Sequence, residues 1–465
     1  MRTAALHNLG CKVNSYETEA MRQLLEEAGY GIVPFSERAD VYIVNTCSVT
    51  NIADRKSRQM LHRAKKQNPE AVVVAAGCYV QAAAGELLRD LSVDVIIGNN
   101  KKKELVPILE AFFRERDEKK KPGNETAKCE HVIEIGNTKE YENLKISRVD
   151  EHTRAFIKVQ DGCNQFCSYC IIPYTRGRVR SRGLKDVEAE VRALAESGYK
   201  EIVLTGIHLS SYGVDFSGEE AAGDLLALIR RVHDVDGIER IRLGSLEPRV
   251  ITEEFAAGLA SLPKFCPHFH LSLQSGCDET LKRMNRRYTA GEFRKRCELL
   301  REVFDNPAIT TDVIVGFPGE TEEEFARTRQ FLEAIGFYEM HIFKYSRRAG
   351  TRADRMPDQI PEPVKTARSD ELLSLERKLS LKYRKSFLGR SRDVLLEEKT
   401  VIGGREYMIG HTKEYVKAVV PYADGLKNTV VEGTLSGMIT DEIMELSGET
   451  SFADFTPLPR QDSPM

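Results

Sequence analysis

Cys163, Cys167 and Cys170 stand in the run CNQFCSYC, with the spacing CxxxCxxC. Three thiolates this close can wrap one corner of an iron–sulfur cube and leave one iron open for a substrate or cofactor. Zinc is the bland alternative, but structural zinc takes four ligands. No Cys or His follows within thirty residues, and the nearest upstream histidine is His152. An open-iron 4Fe-4S cluster is the expectation. A second set is dispersed: Cys11, Cys47 and Cys78 each fall just past an apolar run, TAALHNLG (3–10), VYIVNT (41–46) and AVVVAAG (71–77). If those runs are parallel strands, their carboxyl ends share one edge, where ligands bind in open α/β sheets. Three thiols 36 and 31 residues apart can then converge on one metal site. The alternative is three buried cysteines packing as small apolar side chains. Cys266, Cys277 and Cys297 show no such spacing and are expected to pack; Cys129, alone in a charged stretch, is expected to be incidental.

The elements that must hold these thiols follow from the apolar pattern. Over residues 1–117 the three runs above and VDVIIG (93–98) alternate with helical segments at 14–28, 51–67 and 80–90. That alternation implies βαβ units and a doubly wound parallel α/β domain. Asn14 followed by Glu17 reads as a capping box opening the first helix. Residues 118–150 are charged and carry a Pro-Gly break, and read as a linker or partly ordered connection. From 151 to 380 the alternation resumes, with strands expected at 155–160, 201–206, 240–245, 268–274, 308–316 and 340–346. Six units suit a partial (βα)6 barrel, with its chemistry at the C-terminal ends of the strands. Thr321 and Glu324 give a second capping box, and residues 362–386 one long charged helix. Residues 384–450 hold short strands split by Gly, Asn and Asp, the pattern of a small antiparallel β-barrel of OB-like size. The tail, 451–465, is expected to be disordered.

Several further residues fall at the mouth ends of the expected barrel strands. Tyr169, Gly206, Ser245, Glu247, Gln274 and Gly316 are candidates for cofactor contact there, against ordinary turns and packing. Arg176, Arg178, Arg180 and Arg182 lie within seven residues, either as a solvated charged loop or as a grip on phosphate or carboxylate. The whole chain has 68 Lys+Arg against 71 Asp+Glu, which excludes a strongly basic, histone-like binder. Residues 384–450 carry 9 basic against 11 acidic side chains, so any nucleic-acid contact there needs a local patch and stacking. No apolar run approaches the length of a membrane span, and the first residues lack a signal-peptide core. No membrane partner and a cytoplasmic setting are expected, where clustered thiols point to metal or redox chemistry.

CNQFCSYC resembles the motif of radical S-adenosylmethionine (SAM) enzymes. Together with GCKVNSYE, NTCSVT, AAGCYVQ, IIPYTRGRVRSR, HLSLQSG, DVIVGFPGETEEEF and FKYSRRAGT, in this order, it is similar to the methylthiotransferases over almost the whole chain. LGCKVNSYE, RGRVRSR and LGSLEP are most similar to the branch acting on threonylcarbamoyladenosine in tRNA. The resemblance implies two 4Fe-4S clusters, one on Cys163, Cys167 and Cys170 and an auxiliary one on Cys11, Cys47 and Cys78. It implies SAM as cofactor and, as C-terminal domain, a TRAM domain associated with RNA. It further implies a tRNA carrying threonylcarbamoyladenosine, an electron donor and a sulfur source as partners. The implied reaction is methylthiolation of adenine C2, next to the anticodon. Rival readings are the same chemistry on isopentenyladenosine or a ribosomal-protein aspartate, a radical SAM enzyme with inert N-terminal cysteines, and a non-catalytic Fe–S or zinc RNA-binding protein. The sulfur-transfer reading requires the two cysteine sets to meet across one cavity.

Overall fold

The structure, a computed structural model, describes residues 1–118, 128–147, 153–218 and 223–448; the expected tail lies outside them. The N-terminal sheet comprises β1 (Thr3–Asn8), α1 (Lys12–Glu27), β2 (Gly31–Ile32), β3 (Val41–Thr46), α2 (Asn51–Gln67), β4 (Val72–Gly77), α3 (Cys78–Leu87), β5 (Val95–Ile97), α4 (Leu105–Glu118) and β6 (Cys129–His131). Its strands are parallel in the order β2-β1-β3-β4-β5-β6. VYIVNT and VVVAAG are wholly buried because helices cover both faces. Met21, Leu25, Leu105 and Phe112 pack one face, and Leu61, Ala64, Tyr79 and Leu87 the other.

One expectation fails here. The Asn14–Glu17 capping box does not form: α1 begins at Lys12, Cys11 is its N-cap, and no side chain caps it. Asn14 and Glu17 are instead buried, because this face of α1 turns toward the barrel and carries its polar contacts. The segment read as a linker or partly ordered connection is ordered over 128–147. β6 pairs with the otherwise open edge of β5, satisfying hydrogen-bonding groups an edge would leave bare. Leu144 and Ile146 enter the barrel core, and the Ile146 N–H donates to Glu190 at 2.7 Å. This stretch straps the two domains together.

The barrel comprises β7 (Arg154–Asp161), α5 (Ile172–Thr175), β8 (Arg180–Ser181), α6 (Leu184–Glu196), β9 (Glu201–Gly206), α7 (Leu225–His233), β10 (Arg240–Leu243), α8 (Glu253–Ala260), β11 (His268–His270), α9 (Asp278–Arg283), α10 (Ala290–Val303), β12 (Ala308–Val315), α11 (Glu322–Ile335), β13 (Glu339–Lys344) and α12 (Glu362–Lys385). Sheets β10-β9-β7-β8 and β11-β12-β13 are joined by single bridges, Ile241 to Phe265 and Leu246 to Leu271. The six parallel strands expected from the pattern are present, and Thr321 with Glu324 forms its capping box. Ile157, Ile202, Leu243, Phe269 and Val313 face the helices. Alternation therefore turns Phe156, Arg242, His268, His270, Asp312, His341 and Phe343 inward. Phe343 is 49% exposed, so the inner face is not filled by side chains.

β14 (Ser391–Ile402), β15 (Arg405–Thr412), β16 (Lys417–Pro421), β17 (Val430–Met438) and β18 (Met444–Ser447) close a small barrel in the order β14-β15-β16-β18-β17. It packs under the larger one. Tyr415 stacks on His268 and His411 at centroid distances of 4.9 and 4.4 Å. Arg154 donates to the Tyr415 hydroxyl at 2.9 Å, while Arg240 and Arg242 donate to the carbonyls of His411 and Lys413. These contacts close the lumen floor. No helix among the described residues is long and apolar enough to cross a membrane.

Candidate active site

Register places the dispersed cysteines together. β3 pairs with both β1 and β4, so the loops after them start at one sheet edge. Cys47 and Cys78 follow the last residues of β3 and β4 directly, and Cys11 caps α1. Gly10 leaves space that Cys47 fills: a Cβ there would lie 2.9 Å from the Cys47 sulfur. Burial, then the neighbouring Cys78 thiol, pushes Cys47 up to about 11. Cys163, Cys167 and Cys170 form the second group, on the loop after β7. Burial pushes Cys163 up to about 11 and Cys170 up to about 12, with Cys167 adding to both. Such thiols are protonated and inert unless a metal ligates them and displaces the proton.

The donor sets fit iron–sulfur clusters. Among the described residues no three cysteine sulfurs come within 4.8 Å of one another, as ligands of a single ion would. Each set is three thiols, and a guanidinium lies against each. Arg286 donates to the Cys167 sulfur at 3.3 Å and Arg176 to the Cys78 sulfur at 3.2 Å. Each guanidinium thus sets a charged donor against one sulfur of its set. Cys266 and Cys297 are buried and Cys277 donates to Glu279, as packing cysteines; Cys129 contacts His131 at 3.0 Å. His152 lies outside the described residues.

The arginine run is corrected by burial. Arg176, Arg180 and Arg182 are about 1% exposed or less and face carboxylates, not solvent. Arg176 holds Glu17 at 2.9 Å, Asp161 at 3.2 Å and Asn14 at 2.6 Å. Lys158 and Lys102 also pair with Glu17, at 2.7 and 2.9 Å. Arg182 pairs with Glu190, and Arg180 lies 3.7 Å from Asp161. Buried carboxylates require such partners, and their burial keeps these three arginines out of reach of nucleic acid. Arg178 alone is exposed, lying 4.6 Å over the Phe166 ring.

The network joins the two cysteine sets. Arg176 runs from Cys78 to the Asp161 that precedes the cluster loop, and Asn99 donates to the Thr175 carbonyl at 2.7 Å. On the other side Arg348 binds Ser48 and Asp54 beside Cys47. A few residues on, the Ala353 N–H donates to the Ser168 carbonyl within the cluster loop at 2.7 Å. The sheet edge therefore lies over the barrel mouth.

The loop itself depends on Gly162, which has φ +70°; an added Cβ would lie 1.8 Å from the Arg178 carbonyl oxygen. Gly162→Ala is expected to cost more than about 1 kcal/mol and to displace Cys163. A lower unfolding temperature and reduced iron content after reconstitution check this; unchanged values of both would refute it.

The mouth candidates divide. Tyr169 packs edge-on to Phe317 at 6.3 Å, and Ser245 is exposed on the rim. Gln274, at φ +71°, bridges to β12 by accepting from Ile314 and donating to Asp312. Gly206 makes room for Gln160, since its Cβ would lie 2.9 Å from that side chain. Gly316 is turned away: its N–H donates to Glu320 at 2.7 Å and a Cβ would strike Lys365 of α12 at 2.3 Å. Both glycines are explained by neighbouring side chains. Glu247 faces the cluster loop, accepting from Gln165 at 3.4 Å, with His208 at 3.4 Å and Arg249 at 3.1 Å. Burial opposes its charge, but these two partners hold its carboxyl at about 2.

Sequence reading passed over Arg286, Lys12, and the lumen residues His268, His270, Asp312 and His341. His270 sits in HLSLQSG and Lys12 in GCKVNSYE, both of which served only as landmarks. His270 hydrogen-bonds Thr310 at 3.0 Å and lies 3.3 Å from Asp312.

Residues 157–332 match the radical SAM superfamily model, and residues 3–98 match one described as uncharacterized protein family UPF0004. A threonylcarbamoyladenosine tRNA methylthiotransferase, MtaB, of Bacillus subtilis is 40% identical over 96% of this chain and 99% of its own. The chain belongs to the radical SAM methylthiotransferases. Another relative of that name, from Thermotoga maritima, is 36% identical over 90% of this chain and 91% of its own. A tRNA-2-methylthio-N(6)-dimethylallyladenosine synthase of Carboxydothermus hydrogenoformans is 36% identical over 84% and 87%. Among solved structures, the radical SAM methyltransferase TsrM of Kitasatospora setae, with cobalamin and a 4Fe-4S cluster bound, superposes with TM-score 0.55 at 20% identity. It covers 74% of this chain and 75% of that one, a likeness of fold alone. This methylthiotransferase thus carries the N-terminal sheet, radical SAM barrel and small C-terminal barrel its sequence pattern implied.

Proposed function

We propose that the protein methylthiolates C2 of N6-threonylcarbamoyladenosine in tRNA, next to the anticodon. The observation that carries this reading is the pair of three-thiol sets on facing edges of one chamber. Cys163, Cys167 and Cys170 would hold one 4Fe-4S cluster and Cys11, Cys47 and Cys78 the other. When bound, the first supplies the electron that cleaves SAM and the second a site for the sulfur to be transferred. The chain's own contribution is placement and exclusion of water. Arg286 and Arg176 steady one sulfur of each set. The N-terminal edge covers the mouth, and Tyr415 closes the floor. Tyr169, Ser245, Gln274 and Glu247 remain at the rim for SAM, and Arg178 is the arginine of its run free to meet RNA. The small C-terminal barrel, here read as a TRAM domain, would add RNA contact by a local patch. The reaction requires an electron donor and a sulfur source, and a cytoplasmic setting suits both.

The test is anaerobic: reconstituted protein, SAM, reductant and tRNA carrying threonylcarbamoyladenosine, followed by nucleoside mass spectrometry. A new methylthio derivative of that nucleoside is expected. Deoxyadenosine without it would keep the radical chemistry and sink the substrate; neither product, with both clusters verified, would sink the enzyme reading.

A further inference from the structure

Lys12 is the first residue of α1, directly after Cys11, and it is exposed. Its exposure is to the chamber. Its Nζ lies 5.8 Å from the ring of Phe156, an inward residue of β7. It also acts electrostatically on His268, an inward residue of β11. Among the described residues no carboxylate pairs with it, while Glu17, on the same helix, is saturated by Arg176, Lys102 and Lys158. A second group nearby is also unsatisfied. His268 is 7% exposed, faces inward, and its Nδ1 has no hydrogen-bond partner. Arg242, Glu201 and Tyr415 complete the floor, where Glu201 is taken by Arg242 at 2.9 Å and Glu397 by Arg154 and His411. The chamber thus presents a cation without a carboxylate partner beside the auxiliary cysteines, while its own inward carboxylates, Glu201 and Asp312, face Arg242 and His270.

From this geometry we infer that Lys12 receives the carboxylate of the threonylcarbamoyl group, above the His268–Tyr415 stack of the floor. This deepens the function proposed above and rests on it. Adenine C2 then stays at the mouth between the cysteine sets while the N6 substituent points toward the floor. Lys12 is a specificity residue: it rewards a negative charge that a dimethylallyl group or an unmodified adenine lacks.

Binding to anticodon stem-loop RNAs carrying threonylcarbamoyladenosine, its carboxyl methyl ester, or plain adenosine tests this. The reconstituted, unaltered protein should bind the acid about tenfold more tightly than the ester or plain adenosine. Lys12→Met should remove that preference, leaving the other two RNAs within twofold, and Lys12→Arg should retain most of it. Equal binding of acid and ester by the unaltered protein would overturn the inference. So would a Lys12→Met variant that weakens all three RNAs alike. If that variant fails to load its clusters, the acid–ester comparison on the unaltered protein decides alone. Product formation is scored separately, so a wrong reaction and a wrong carboxylate contact give different results.

Discussion

Replacing Cys47 by alanine is expected to remove the methylthio product while deoxyadenosine formation from SAM continues. Replacing Cys163 by alanine should remove both. The two thiols belong to separate sets on separate domains, and each set offers three thiols. Loss of one ligand from three leaves a site unable to hold its cluster, so each loss should reach background. Cys47 hydrogen-bonds only its own domain, through Ser57, so the barrel should keep its fold and its own iron. Nucleoside and deoxyadenosine quantification, with iron counted per chain, provides the check. A Cys47→Ala protein still forming the methylthio nucleoside would show the N-terminal cysteines to be mere packing.

Arg176→Met should destabilise the protein by about 3–5 kcal/mol, the usual effect of stripping one partner from a buried charge network. Its guanidinium touches Glu17, Asp161, Asn14 and Cys78 at once. Those groups come from α1, from β7 and from the start of α3, so the damage falls on the seam between domains. Lysine is no substitute, because a single ammonium cannot reach the four groups in fork geometry. Arg178→Ala, two residues on and exposed, should cost less than about 1 kcal/mol through lost stacking on Phe166. Chemical denaturation of the methionine, lysine and alanine variants distinguishes them. Comparable stability of Arg176→Met and Arg178→Ala would refute the network's role.

That contrast shows how far sequence could reach. The strand–helix alternation and the register of Cys47 and Cys78 are local properties, set by apolar runs and the residue after each. The fate of Arg176, Arg180 and Arg182 is not local. Their carboxylate partners include Glu17, 159 residues from Arg176, and a run of arginines looks the same whether it meets solvent or Glu17. For the same reason Asn14 and Glu17 had the spacing of a cap but serve as anchors. β6 was hidden in a charged segment because three residues suffice to complete an edge. Lys12 lies in GCKVNSYE, but it stands out only once the fold shows which charges are left without a partner.

The floor has a consequence for how such enzymes can be rebuilt. Tyr415 and the carbonyls of His411 and Lys413 are held by Arg154, Arg240 and Arg242 from the barrel strands. The C-terminal module is thus the bottom plate of the reaction vessel and not an interchangeable cassette. Transplanting a foreign module would unseal the vessel unless it arrived with matching acceptors and a stacking ring.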